Sequence, residues 1–412
     1  MNRWVSNSLC TTAGAAMLTI GAPLAVAAPV AATNQCPYQR ATPPAIDTSE
    51  VPAPGATVPP PLPVPAPAVG GTALAGCGVV LAPGALPVPA GITASGWTIT
   101  DIDTGKVIAA KDPHGRYRPA STIKTLLALV AVTDLNLDAP VTGTQADADM
   151  EGDRAGIGPG GRYTVRQLLQ GLLLVSGNDC ANALAEQLGG TQQALAKMNA
   201  AAAALGAKDT RAASPSGLDA AGMSSSPYDL ALIFRAAMQN KDFREITATR
   251  ETQFPGYAAT PGQEGHPAWP IINENELLAL YPGAIGGKTG YTDDARKTYV
   301  GAAQRDGHRV AVTLMYGLNA GEDSYWHQAT EMLDYGFANI GSAGVGRLVD
   351  PAVTPATAHQ NSAPTRQDST SAQQDDAPAG SSSHWGRRIF FGAAGLAIVA
   401  VLVGAARRIN RR

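Results

Sequence analysis

The sequence predicts a mixed α+β fold: a five-stranded antiparallel sheet with flanking helices and a helical subdomain. Three observations carry that prediction. An alternating hairpin pattern opens the region 94–350, a helical stretch fills its middle, and three short strand patterns and an amphipathic helix close it. If the first hairpin pairs with the late strands, one sheet of five strands results, with the helices inserted between them.

Trp97-Thr98-Ile99-Thr100 alternates apolar and polar residues, Asp103-Thr104-Gly105 turns, and Val107-Ile108-Ala109 returns. Ser121 to Leu135, with an unbroken apolar run from Leu126 to Val132, reads as a buried helix. Thr164 can cap a helical stretch to Leu188, with leucines 168, 169, 172 and 173 at helical spacing. Ser226-Pro227-Tyr228-Asp229 combines a cap, a proline at the first helical position and an acid, and Leu230, Ile233, Phe234 and Ala237 then share a face. Gly287 to Tyr291, Thr298 to Gln304 and Val310 to Tyr316 are short β runs, with Arg305-Asp306-Gly307 turning between the last two. The closing helix carries Trp326, Leu333 and Phe337.

Of 412 residues, 45% are hydrophobic and 15% charged, too apolar for a disordered chain and too polar for a polytopic membrane protein. Both ends suggest export. Arg3 precedes an apolar run that ends Ala25-Val26-Ala27, which reads as a signal peptide over 1–27; an uncleaved anchor is the alternative, disfavoured by Thr11, Thr12 and Pro23. Residues 389–406 carry no charge, enough for a transmembrane helix of about 27 Å. The arginines of the 407–412 tail outnumber Arg387 and Arg388, which places the tail in the cytoplasm and the rest outside. Between the ends, 23 basic residues face 33 acidic ones, so the basic footprint of a nucleic-acid binder is absent.

Residues 28–93 form a Pro-rich N-terminal segment, with ten prolines between Pro43 and Pro67, expected as an extended stalk or wrap. Residues 351–388, polar and poor in large apolar side chains, read as a flexible tether. Cys36 and Cys77 bracket the prolines in an oxidising compartment and are a possible disulfide. Cys180, in a helical run, reads as a buried small hydrophobe.

Several chemistries are excluded by what is missing. There is no G-x-S-x-G elbow and no H-E-x-x-H, and the six histidines form no ligand pair, so no metal or other cofactor is expected. Gly287-Lys288-Thr289 lacks the spacing of a phosphate loop, since Pro282 stands where its first glycine belongs. Three patterns remain, in order: Ser121-Thr122-Ile123-Lys124, Ser176-Gly177-Asn178 and Lys288-Thr289-Gly290. Each alone is weak; together, on a buried helix, at a helix break and on a strand, they are informative. Residues three apart on a helix share a face, so Ser121 and Lys124 can touch. A serine hydroxyl needs a neighbouring base, and a lysine serves as one only if burial and a second cation lower its pKa. The apolar run after Lys124 supplies burial and Lys288 the second cation.

With these motifs the chain resembles the low-molecular-mass penicillin-binding serine D-alanyl-D-alanine carboxypeptidases. Arg118 to Lys124, Leu173 to Asp179, Ser216-Gly217-Leu218, Gly287 to Thr292 and Leu333 to Phe337 all look like family segments, and the likeness covers about Ser95 to Ile340. It implies a β-lactamase/transpeptidase-like catalytic domain over 94–350. It implies that Ser121 forms an acyl-enzyme with the terminal D-Ala-D-Ala of a peptidoglycan stem peptide, that Lys124 takes the Ser121 proton, and that Ser176 relays one to the leaving D-alanine. Asn178, Lys288, Thr289, Gly290 and Tyr291 would bind substrate, with Ser121 and Tyr291 N–H groups as the oxyanion hole and Gly290 leaving room along the strand edge. β-Lactams would acylate Ser121 as covalent inhibitors. A D,D-endopeptidase, a class A-type β-lactamase and an inactive wall-binding or β-lactam-sensing domain remain alternatives; no E-x-x-L-N precedes the late strands, and Glu274 lies close to Lys288 in sequence.

Overall fold

The protein is described as a computed structural model covering residues 36–350, apart from 53, 261, 263 and 318–324. The signal peptide, tether, transmembrane helix and basic tail expected above lie outside the described residues. Among the described residues no helix is long and apolar enough to cross a membrane.

The short strand β1 (Val79–Leu81) precedes the hairpin β2 (Gly96–Asp101) and β3 (Lys106–Lys111). Asp101 ties the hairpin turn by accepting from the Asp103 and Thr104 N–H groups, and Gly105 takes φ +77°. A 3-10 turn over Ala120–Ile123 runs into α1 (Lys124–Asp134), so the expected buried helix has a tightened first turn. The strands β4 (Pro140–Thr142) and β5 (Arg162–Thr164) pair around the single turn α2 (Gln145–Ala148). Thr164 and Gln167 form a capping box at α3 (Val165–Leu174), and after a three-residue break α4 (Asn178–Gln187) follows. The patterning did not anticipate α5 (Thr191–Leu205). Its alanine run gives no periodic contrast but has the highest helix propensity, and Gly206 at φ +86° ends it.

The Ser226 hydroxyl caps α6 (Pro227–Ala237) by accepting from the Asp229 N–H, and the Asn240 side chain caps α7 (Lys241–Thr247) by accepting from the Phe243 N–H. A small ribbon, β6 (Glu251–Phe254) with β7 (Trp269–Ile272), and the turn α8 (Leu277–Leu280) lead to the long strands β8 (Ala284–Thr292), β9 (Arg296–Arg305) and β10 (His308–Gly317). The chain closes with α9 (Tyr325–Ala338) and β11 (Gly346–Arg347).

The sheet runs β1-β3-β2-β10-β9-β8, all antiparallel, with β11 also on β3. The five expected strands are contiguous within it. The sheet has seven strands rather than five, because β1 and β11 extend the β3 edge, and two or three residues are too few for alternation to register. Period-two alternation sends Trp97, Ile99, Val310, Val312 and Leu314 into a core with Met332 and Leu333 of α9. The small residues Thr98, Thr100, Ala311 and Thr313 are buried on the other face, where the Thr98 hydroxyl donates to Pro227 O of α6. The sheet is thus a middle layer. The edge strand β8 faces the helical subdomain, where the Gly290 backbone approaches the turn before α1.

The Pro-rich segment is a wrap rather than a stalk. A disulfide joins Cys36 to Cys77, with Cα atoms 5.4 Å apart. Between them the chain is pinned by buried cations of the body. Arg116 donates to Leu62 O and Pro63 O at 2.6 and 2.8 Å, Arg118 donates to Pro43 O at 2.7 Å, and Leu74 is fully buried. A segment too proline-rich for helix or sheet offers unpaired carbonyls, and arginine forks satisfy them.

Candidate active site

Ser121 sits in the 3-10 turn, immediately after Ala120, which takes φ +47°. A non-glycine residue there is uncommon and stores strain. The turn brings the Lys124 Nζ to 2.7 Å from Ser121 Oγ. The same nitrogen lies 2.7 Å from Asn178 Oδ1 and 2.6 Å from Ser216 O. Lys124 is fully buried, and burial, reinforced by the Lys288 charge, holds its amine well below the ordinary lysine value. A neutral amine has two N–H donors and one lone pair. Asn178 and Ser216 are both acceptors and take the two donors, which leaves the lone pair for the Ser121 hydroxyl.

Ser176 occupies the break between α3 and α4, with φ +59° and its side chain buried. Gly177 N donates to Gly171 O and holds the break closed. Asn178 starts α4; besides meeting Lys124, it donates from Nδ2 to Glu151 O at 2.6 Å. The neighbouring Asp179 accepts from the Ala155, Gly156 and Ile157 N–H groups, so it anchors the loop that carries Asp153. Cys180 is buried against Gly171, and burial pushes its thiol far up, so it is no nucleophile.

Lys288 is buried on β8, and its Nζ donates to Thr289 O at 2.9 Å. Burial lowers its pKa to about 8, against the attraction of Glu274 and Asp153. Thr289, Gly290 and Tyr291 line one cavity of about 380 Å³ with Ser121 and Ser176. Residues of all three motifs therefore line one cavity. Cys36 and Cys77 are not among the lining residues.

Sequence reasoning missed several residues of this cavity. Asp153, Glu276, Lys297, Tyr325 and Trp326 line it, as does Glu274, which the sequence marks only by its spacing from Lys288. Burial raises the Glu274 pKa although Lys288 opposes the shift. The carboxylates of Asp153 and Glu274 are the counter-charges that allow Lys288 to be buried. No motif marks them, because they reach the site from a loop and from the residues before α8.

Gly290 also has a nearer task than leaving room for substrate. A Cβ there would sit 2.4 Å from Thr298 Oγ1 and 2.9 Å from Ser121 N. Gly290→Ala is therefore expected to push β8 away from the turn that carries Ser121, slowing penicillin acylation about tenfold or more. Stopped-flow labelling checks this, and wild-type rates would mean that the strand yields without cost.

The family described as D-alanyl-D-alanine carboxypeptidase matches residues 85–318. The chain is 51% identical over 268 residues to D-alanyl-D-alanine carboxypeptidase DacB2 of Mycobacterium tuberculosis, covering 64% of this chain and 89% of that one. A crystal structure of D-alanyl-D-alanine carboxypeptidase from Mycobacterium tuberculosis H37Rv matches with a TM-score of 0.61 at 49% identity, over 65% of this chain and all of that one. The Streptomyces K15 DD-transpeptidase matches with a TM-score of 0.56 at 33% identity, over 61% of this chain and all of that one.

Proposed function

Because the chain belongs to the D-alanyl-D-alanine carboxypeptidase family, we propose a specific division of labour among its site residues in removing the terminal D-alanine of a peptidoglycan stem peptide. The protein is a serine-type D-alanyl-D-alanine carboxypeptidase. The observation that carries the residue roles is the 2.7 Å contact between Ser121 Oγ and a buried Lys124 whose other two partners are acceptors.

Ser121 Oγ attacks the carbonyl between the last two D-alanines while its proton passes to Lys124 Nζ. The oxyanion settles between the Ser121 and Tyr291 backbone N–H groups. Ser176 passes a proton to the leaving nitrogen, free D-alanine departs, and water later releases the shortened peptide from Ser121. Lys288 and Thr289 hold the terminal carboxylate, and Asn178 keeps Lys124 aligned. A β-lactam offers Ser121 a carbonyl to attack in the same way, but opening of its C–N bond leaves the amine tethered to the acyl group, so the covalent adduct on Ser121 persists. The catalytic domain acts outside the cytoplasm, and residues 389–406, beyond the described range, anchor it in the membrane.

One incubation tests the reaction. With a D-Ala-D-Ala peptide the protein should release D-alanine, and with penicillin it should gain a stable mass adduct on Ser121. Rapid penicillin turnover without D-alanine release would replace this reading by a lactamase, and neither reaction would leave a binding domain.

The two lysines also fix the pH dependence. Lys124 must be neutral, so kcat/KM rises with pH through its lowered pKa. Lys288 must be charged, so kcat/KM falls above about pH 8, through KM, as the carboxylate loses its partner. Lys288→Arg should move the alkaline limb upward, because a guanidinium does not titrate there. An unmoved limb would assign it to another group.

A further inference from the structure

Arg118 stands three residues before Ser121, is 1% exposed, and is the point where the N-terminal wrap meets the catalytic site. Its Nε and Nη2 donate to the two carboxylate oxygens of Glu50 at 2.5 and 2.8 Å, and its Nη1 donates to Pro43 O at 2.7 Å. On the other side its Nε lies 4.0 Å from Asp294 Oδ2, in the turn between β8 and β9, just past Tyr291. That oxygen has no hydrogen-bond partner among the described residues, while Asp294 Oδ1 accepts from Ile46 N of the wrap at 2.6 Å. Asp219, from the loop after Ser216-Gly217, also feels the Arg118 charge and bonds to the Thr292 side chain. Finally, Thr298 of β9 donates to Pro119 O at 2.8 Å, one residue beyond Arg118.

One buried guanidinium therefore touches or attracts the segment leading to the nucleophile, the turn after the oxyanion strand, and the loop whose Ser216 O meets Lys124. Residues 43–50 lie before the family match, which begins at residue 85. Among the described residues around Arg118, only Glu50 offers a two-oxygen fork matched to the guanidinium. Without it the buried cation keeps Pro43 O but has only the more distant Asp294 and Asp219 as counter-charges, and the structure must shift to rehydrate or re-pair it.

We infer that Glu50, carried by the N-terminal wrap, is a positioning residue for acylation: by pairing with Arg118 it holds the Ser121 turn against the β8–β9 turn and so sets the gap between the two oxyanion-hole N–H groups. The inference rests on the proposed roles of Ser121 and Tyr291. The wrap is then part of the catalytic apparatus, although it contributes no atom to the cavity lining.

The test uses the exported chain with its disulfide intact and compares wild type, Glu50→Gln, Glu50→Asp and Arg211→Ala. Arg211 donates to Pro60 O and fastens the wrap elsewhere. The readouts are the second-order rate of penicillin acylation, kcat and KM for a D-Ala-D-Ala peptide, and thermal unfolding. Glu50→Gln should acylate about tenfold more slowly at a temperature where it is fully folded, with kcat falling and KM within about twofold of wild type. Glu50→Asp should recover part of the rate, and Arg211→Ala should acylate as wild type. A wild-type rate in Glu50→Gln overturns the inference. So does a loss that merely follows the unfolded fraction, or an equal loss in Arg211→Ala. If wild type itself is not labelled, the proposed function fails first, which keeps the two failures apart.

Discussion

Replacing Ser121 by alanine should abolish both D-alanine release and covalent penicillin labelling, with turnover falling about 10⁴-fold or more. In the proposed mechanism the substitution removes the atom that bonds to the acyl group. It should do little to the fold. Ser121 Oγ has Lys124 as its hydrogen-bond partner, and Lys124 keeps Asn178 and Ser216 when the hydroxyl goes. Stability should therefore change by no more than about 1 kcal/mol. Non-covalent binding of the peptide should survive, because Lys288, Thr289 and Tyr291 are untouched. Mass spectrometry after incubation with penicillin reads the first outcome, and calorimetry the second. An adduct that persists on the variant would move the nucleophile to another residue and dissolve the proposed mechanism.

Lys124→Met should slow acylation about 10³-fold while leaving the nucleophile in place. Labelling of Ser121 should thus become slow rather than vanish, which separates this variant from Ser121→Ala. Two opposing effects act on stability. Asn178 Oδ1 and Ser216 O lose a buried donor, costing about 1–3 kcal/mol each, while a buried amine that resists charging is removed. The acid limb of the pH–rate profile should disappear together with the rate, since it reports the loss of the Lys124 proton. A variant that keeps a fast rate and the acid limb would show that another group takes the proton.

The sequence made the three motifs of the proposed site legible because each is a short local pattern. A serine and a lysine three apart share one face wherever the chain is helical, and Thr164 and Ser226 with their partners announce helix starts without tertiary help. The central strands were equally legible, since Trp97 to Thr100 of β2 and Val310 to Leu314 of β10 alternate large apolar residues with threonine and alanine. Patterning failed where period carries no contrast or the element is too short. The alanine-rich α5 has no polar face to set against an apolar one, and β1 and β11 are strands only because β3 offers them an edge.

By itself, then, the sequence determined the class of fold, the family to which the likeness points, and the three motifs from which the proposed site is built. Only the tertiary structure decided that Asp153 and Glu274 balance Lys288, that Gly290 makes room for the turn that carries Ser121, and that the proline-rich segment folds back to pair Glu50 with Arg118. The reason is physical: a motif records neighbours along the chain, whereas the cost of burying a charge is met by whichever group the fold brings near, at any separation in sequence.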